Sequence, residues 1–300
     1  SRPRSLGRNQ MILNLARGDV RDAVLEQLDT LLDTYNIRFL KWDMNRSFSE
    51  PGWLAEATDP THAKDLWLRH TKAVYHMMDS LRARHPELMI ESCASGGGRV
   101  DMGILQRTDQ VWMSDNTDPY DALLMTAAYS HAYALKTRMV WVTDTGDLPA
   151  RTTPLRYRFH VAMLGSLGVG GDLPAWTDED KTAAKTYINF YKRVRETIQH
   201  GRVDRLQLPQ TSRLSAFQFR DDTRTLVFVF LGHAHYGPEQ TYFRLRDLDA
   251  DVLYDGVDVS NGHGDAASSF SLSGSALMSR GIYLNMKGDY ASRIIELIPK

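Results

Sequence analysis

Five times in its first two hundred residues the chain runs a short apolar stretch into polar or glycine residues and then into a helical pattern. The stretches are 37–43, 88–93, 110–115, 138–143 and 167–172. Strands that alternate with helices in this way pair in parallel, because a parallel connection needs a crossover long enough to hold a helix. Polar strand ends are the mark of the functional face of a (β/α)8 barrel. Five strands cannot close such a barrel. The pattern is therefore an open sheet, or a partial (β/α)8 (TIM) barrel holding strands 4–8 whose first three lie upstream of Ser1. The start at Ser1-Arg2-Pro3-Arg4, with no Met, reads as an entry into the middle of a longer protein.

The segments between the strands carry helical periodicity. Val20, Val24, Leu28, Leu31 and Leu32 recur at three- and four-residue spacing after Asp19, which predicts one buried stripe. A second helix is predicted from Ala63 to Arg84, with Leu66, Ala73, Val74, Met77, Met78 and Leu81 inward. His70 and His76 ride on it without a partner at metal-ligand spacing, so both read as ordinary helix residues. Asp118-Pro119-Tyr120-Asp121 has the form of a helix start, with Asp118 capping and Pro119 at the first helical position. Further helices are predicted over 121–135 and from Pro154 to Gly165. Thr177 and Asp180 form a capping pair for a long helix with Ala183, Tyr187, Ile188, Tyr191, Val194 and Ile198 inward, and Gly201 is expected to close it in the left-handed conformation.

After Gly201 the pattern turns to short alternating strands at 204–208, 213–219, 224–231, 240–245, 251–254, 268–273, 281–286 and 292–298, separated by turns such as Asp221-Asp222 and Asn261-Gly262. That is an antiparallel β-sandwich. The expected organisation is a catalytic barrel part over 1–201 and a carboxyl-terminal sandwich domain over 202–300.

Composition narrows the function. With 36 basic and 37 acidic residues the net charge is -1, which offers no field for nucleic acid or an anionic membrane. One cysteine, Cys93, excludes an internal disulfide and points to a cytoplasmic setting. No apolar run is long enough to span a bilayer, and no signal-peptide pattern opens the chain.

Chemistry concentrates at the strand ends. In Ile37-Arg38-Phe39-Leu40-Lys41-Trp42-Asp43, alternation puts Lys41 and Asp43 on one face and Trp42 on the other. Asp118 has a capping role, so Asp115 is the carboxylate left for chemistry at the end of the third strand. Alternate strands lie about 10 Å apart, and a curved wall shortens the gap between side chains that lean inward. Two carboxyl groups about 5–5.5 Å apart suit a retaining glycosidase, and about 6.5–9.5 Å an inverting one. Lys41 favours the ionised form of Asp43, which suits a nucleophile. Asp115 follows Trp112 and Met113 without an adjacent cation, which suits a general acid. Glu91, a third strand-end acid, reads as a structural partner of Arg99 or Lys41. Gly96, Gly97 and Gly98 let a backbone approach a ligand closely. A phosphate-binding loop is excluded there, because no Gly-Lys-Ser/Thr follows.

Three segments, Lys41-Trp42-Asp43-Met44-Asn45-Arg46, Cys93-Ala94-Ser95-Gly96-Gly97-Gly98-Arg99 and Ser114-Asp115-Asn116-Thr117-Asp118, closely resemble the signatures of the glycoside hydrolase family 36 α-galactosidases. The resemblance implies Asp43 as nucleophile and Asp115 as acid/base, with Lys41 on the galactose hydroxyls and Cys93, Gly96 and Gly97 lining the subsite near the 2-hydroxyl. Gly7-Arg8-Asn9-Gln10 resembles the segment whose arginine reaches substrate, which nominates Arg8; Trp42 and Asn45, flanking Asp43, join it as substrate-binding candidates. Trp141-Val142-Thr143 departs from the His-Val-Ser expected at the fourth strand end. The activity implied is that of a retaining exo-α-galactosidase on oligosaccharides such as raffinose or melibiose, with no metal or other cofactor and a tetrameric homo-oligomer. An α-N-acetylgalactosaminidase would differ at the wall formed by Cys93 and Gly96 to Gly98. A noncatalytic fragment that needs its missing amino-terminal half, and a structural α/β protein, are the readings outside that class.

Overall fold

The computed structural model describes residues 6–49, 65–144, 151–209, 212–233 and 239–300. Pro51-Gly52, which reads from sequence as the end of a polar loop through Arg46, Ser47 and Ser49, the first two residues of the helix expected from Ala63, and the loop residues Thr145 to Asp147 lie outside them. The described residues form two compact units, one up to Asp115 and one from Asn116 onward.

The first unit holds α1 (Gly18–Thr34), β1 (Phe39–Trp42), α2 (Asp65–Arg84), β2 (Met89–Ser92), α3 (Met102–Leu105) and β3 (Gln110–Trp112). The strands pair in parallel in chain order, with Lys41 opposite Glu91 and Glu91 opposite Gln110. One face of this sheet packs on the helices through Leu40 and Ile90, which join Leu25, Leu32, Met77, Met78 and Leu81 in a single apolar cluster. The six apolar positions predicted for α2 are all buried, together with His70. In α1 the stripe is rotated slightly from the expected one: Leu25 is buried and Leu31 is 42% exposed. Both spacings satisfy the helical period, and the contact with α2 selects between them.

The second unit holds α4 (Pro119–Tyr129), β4 (Arg138–Val142), α5 (Leu155–Ala162), β5 (Ser166–Val169) and α6 (Asp178–His200). It continues with β6 (Arg202–Gln207), β7 (Leu214–Arg220), β8 (Thr225–Leu231), β9 (Glu239–Phe243), β10 (Leu253–Asp258), β11 (Asp265–Ser273), α7 (Gly274–Ser279), β12 (Ile282–Met286) and β13 (Ser292–Pro299). Asp118 caps α4, its carboxylate accepting from the Asp121 N–H at 2.9 Å while Arg151 lies 2.6 Å away. Thr177 caps α6, accepting from the Asp180 N–H at 3.1 Å. Strand β4 pairs in parallel with β5. Trp141 stands on β5, where a Cβ on Gly168 or Gly170 would meet its indole at 2.4 Å. Those two glycines are the space the tryptophan occupies.

The antiparallel strands make a six-stranded sheet ordered β11-β10-β13-β8-β7-β6 and a two-stranded sheet of β12 and β9. Every residue of β8 is buried, as its Thr-Leu-Val-Phe-Val-Phe-Leu run requires of a central strand. Gly201 does not close α6 in the left-handed conformation: its φ is -71°. Its smallness is needed for another reason, since a Cβ there would lie 2.3 Å from the Thr197 oxygen. The sandwich also contains α7, a one-and-a-half-turn helix capped by Ser273 that the strand pattern conceals. Five parallel strands with their helices followed by these sheets are a partial TIM barrel and a β-sandwich. Among the described residues no helix is long and apolar enough to cross a membrane.

Candidate active site

The site is built on the face of β1-β2-β3 that turns away from the helices. Lys41, Glu91 and Gln110 are register partners in one row across three strands. The Lys41 ammonium lies 2.9 Å from Glu91 Oε1, off the hydrogen-bond direction, and the Gln110 amide donates to Glu91 Oε2. Glu91 is 2% exposed, so this charge is held within the sheet by its two neighbours. Of the two partners expected for it, Lys41 is the one realised. The Lys41 ammonium also sits over the Trp112 ring, 4.3 Å from its centroid.

One step further along the strands come Asp43 and Cys93. Burial alone would push the Asp43 carboxyl up; hydrogen bonds from the Cys93 thiol, the Asn45 amide and the backbone N–H groups of Met44 and Ser95 outweigh it and hold the group below its usual range. Asn45 donates from Nδ2 at 2.7 Å, and the Ser95 hydroxyl in turn donates to Asn45 Oδ1 at 3.4 Å. These hydrogen-bond donors are the largest influences that hold Asp43 ionised, where the sequence suggested Lys41, whose ammonium is paired with Glu91. Desolvation pushes the Cys93 thiol up to about 11, so it is a protonated donor at neutral pH.

Asp115 is exposed and accepts a hydrogen bond from the Trp112 indole at 2.8 Å. Trp112 shares its sheet face with Lys41 and Glu91, so the supports of both acids stand on the same side of the sheet.

The loop from Ala94 to Gly98 joins the two acids. Ser95 and Gly96 both adopt positive φ, +48° and +82°, a conformation costly for serine, and the Ser95 N–H is one of Asp43's donors. A Cβ on Gly96 would lie 2.8 Å from the Ser114 Cα, and one on Gly97 would lie 2.6 Å from the Met113 oxygen. The close approach the glycines permit is therefore to the backbone that carries Asp115, in addition to the ligand approach expected of them. Gly96 is buried and Gly97 is exposed.

Arg99, considered from sequence only as a partner for Glu91, proves to be the clamp of the site. Its Nη2 donates to the Trp42 oxygen at 2.7 Å and the Cys93 oxygen at 2.9 Å, and its Nε donates to Ser92 at 3.2 Å. These bonds tie the ends of β1 and β2 together directly beneath Asp43. The signal in the sequence is an arginine closing a glycine turn, but its carbonyl partners cannot be read there.

One expected substrate contact is placed differently. Trp42 points to the helix side and packs on the apolar cluster with Leu40 and Ile90, so the structure moves it from the substrate wall to the core. Arg8 is exposed at the tip of a tight turn in which Arg8 and Asn9 both take positive φ and the Gln10 N–H reaches the Gly7 oxygen at 2.9 Å. Gly7 rests on Arg46, its would-be Cβ 3.1 Å from the side chain, which brings the turn to the loop that follows Asp43. Among the described residues no group of three His, Cys, Asp or Glu is placed to hold a metal.

Comparison with known proteins places the whole chain in a family. The Melibiase family profile matches residues 1–201, and the profile of the glycosyl hydrolase family 36 C-terminal domain matches residues 215–297. The α-galactosidase AgaA of Geobacillus stearothermophilus is 34% identical over 258 residues, covering 85% of this chain and 35% of that protein. The α-galactosidase Mel36A of Lactobacillus acidophilus is 32% identical over 293 residues, 96% of this chain and 38% of the relative. A crystal structure of a variant of AgaA in complex with raffinose superposes with a TM-score of 0.91 at 32% identity, covering 100% of this chain and 40% of that one. The chain thus spans a little over a third of the length of the relatives it matches. With both profiles matched in order, the chain belongs to the glycoside hydrolase family 36 α-galactosidases.

Proposed function

We propose that this chain supplies the catalytic acids of a retaining exo-α-galactosidase that acts on oligosaccharides of the raffinose and melibiose type. The observation that carries the reading is the donor set around Asp43: four hydrogen-bond donors converge on one exposed carboxylate at a strand end. A carboxylate so held stays ionised and positioned to attack. Asp115, bonded on one oxygen by the Trp112 indole, has its other oxygen for proton transfer.

In the proposed sequence, the Asp43 carboxylate attacks the anomeric carbon from the β face while the bond to the leaving oxygen breaks. That oxygen takes the electron pair and the proton of Asp115. Water then gives a proton to the Asp115 carboxylate and attacks the same carbon, the bond to Asp43 breaks, and α-galactose leaves. Lys41, Cys93, Asn45, Gly96, Gly97 and Arg8 are proposed as substrate-side residues. The raffinose held by the AgaA variant supports that substrate class. The division into a barrel part over 1–201 and a sandwich domain over 202–300 is supported by one profile ending at 201 and the other beginning at 215.

Azide tests the two roles separately. Asp43→Ala with azide should form β-galactosyl azide, because azide replaces the carboxylate on its own face. Asp115→Ala with azide should form the α product through the intact Asp43. The same anomer from both variants would reject the assignment. A second reading is favoured by the coverage of the relatives, just over a third of their length: the 300-residue chain turns nothing over alone and gains activity when joined behind the amino-terminal part of AgaA. Assaying both forms decides between the two readings.

A further inference from the structure

The carboxyl-terminal sandwich carries a row of side chains that the proposed reaction does not use. From Tyr242 the chain alternates: Tyr242, Arg244 and Arg246 are exposed while Phe243 and Leu245 are buried in the sandwich core. Every second residue of an extended chain recurs at about 6.5–7 Å, so the three form an evenly spaced outward row. Arg280, just past the end of α7, joins it: its guanidinium lies 5.4 Å from the Tyr242 ring, and Nη2 donates to the Tyr242 hydroxyl at 3.2 Å. Tyr283 is the cross-strand register partner of Tyr242, with ring centroids 5.3 Å apart. The two tyrosines are 47% and 48% exposed, an aromatic pair left open to solvent.

These residues border two adjoining depressions. An open groove of about 1050 Å³ is lined by Tyr242, Arg244, Arg246 and Arg280 with Gln207 beside them. A smaller cavity of about 410 Å³, more apolar, lies on the other side of Tyr242 and Tyr283. Among the described residues no carboxylate lines the larger groove. The acid closest in sequence, Asp247, is paired with Arg202 at 2.6 Å. Among the described residues, Arg244 and Arg246 have no ion-pair partner.

We propose that this surface binds an acidic polysaccharide, a chain of pyranose rings bearing carboxylates. Pyranose C–H faces pack on Tyr242 and Tyr283, as apolar faces do on exposed aromatic rings. The carboxylates pair with the arginines, whose planar forks match them in bidentate geometry. Nucleic acid is the competing polyanion. It is disfavoured because the chain's net charge is -1 and Asp247, Asp249 and Asp251 follow the row at once, so no broad basic field extends beyond three guanidinium groups. The choice of a glycan over other acids rests on membership of a glycoside hydrolase family. Binding is read without turnover, so its failure leaves the hydrolase reading untouched.

The test titrates the 300-residue chain with polygalacturonate, and in parallel with neutral galactan of similar length and with single-stranded DNA. Polygalacturonate should bind saturably and more tightly than either. Its affinity should fall with salt with a logarithmic slope of about two to three, the number of pairs formed. The double variant Arg244→Gln/Arg246→Gln should bind about tenfold more weakly. Tyr242→Ala should also weaken binding, Tyr242→Phe should keep most of it, and galactoside hydrolysis by an active form should not change in any of them. Absence of saturable polygalacturonate binding, equal or tighter binding of DNA, or wild-type affinity in the double arginine variant would overturn the proposal. The salt slope, measured on the unaltered chain, decides the matter if a variant misfolds.

Discussion

Replacing Gly97 by Ala probes how the loop sets Asp115. The new Cβ would lie 2.6 Å from the Met113 oxygen, and the clash is with backbone on both sides, so no side-chain rotation relieves it. Ordinary carbon–oxygen contact is about 3.4 Å, so the loop and the end of β3 must separate by about 0.8 Å. Such overpacking costs about 1–3 kcal/mol. Met113 is two residues before Asp115, and a displacement approaching 1 Å at a reacting group costs up to about a hundredfold in turnover. Nitrophenyl α-galactoside hydrolysis, in an active form that carries the chain, should show kcat down by about thirtyfold to a hundredfold with KM changed far less. The control is Gly103→Ala, whose Cβ would meet the Tyr75 ring and hydroxyl at 2.6 to 2.8 Å. It should destabilise by no more than Gly97→Ala, since the Tyr75 side chain can turn aside, and leave kcat within about threefold, because it touches neither acid. If Gly97→Ala kept wild-type turnover, or Gly103→Ala lost as much, the loop would not be what positions Asp115.

Three further outcomes follow from the same geometry. Cys93→Ala removes a donor from Asp43, so the acid limb of kcat/KM should move to higher pH, and Cys93→Ser, which keeps a hydroxyl donor, should move it back. Asp43 is depressed in the folded chain, so its contribution to stability is present above its unfolded value of about pH 3.9 and is lost as pH falls below it; Asp43→Asn should flatten that part of the acid unfolding curve. Arg99→Ala removes the bonds to Trp42, Cys93 and Ser92 and should cost about 3 kcal/mol in denaturant unfolding. Arg99→Lys should recover only part, since one ammonium cannot reproduce the planar fork.

Much of the fold is written in local periodicity. The five strand positions and the inward residues of α2 follow from alternation and helical spacing, which tertiary packing had no cause to override. The sandwich strands were legible for the same reason. What escaped depended on contacts across the chain. Helix α3 has four residues, too few for a periodic signal, and α7 hides between two strands. Gly201 carried the usual sign of a left-handed cap, but it is small because the Thr197 and Arg220 carbonyls crowd it. Asp43 and Asp115 could be chosen from strand-end position and from the capping role of Asp118. The source of Asp43's ionisation could not, because the row Lys41, Glu91, Gln110 exists only once the strands are in register. Trp42 was legible as facing away from Lys41, and its own alternation already pointed to the core rather than the substrate.

The central claim is that Asp43 forms the covalent bond to galactose. Incubating an active form with a fluorinated galactosyl fluoride, which slows release of the glycosyl-enzyme, and then mapping the labelled peptide by mass spectrometry tests it most directly. One galactosyl adduct per chain is expected, on Asp43, absent from Asp43→Asn and still formed in Asp115→Asn. An adduct on any other residue, or inactivation without a covalent adduct, would contradict it.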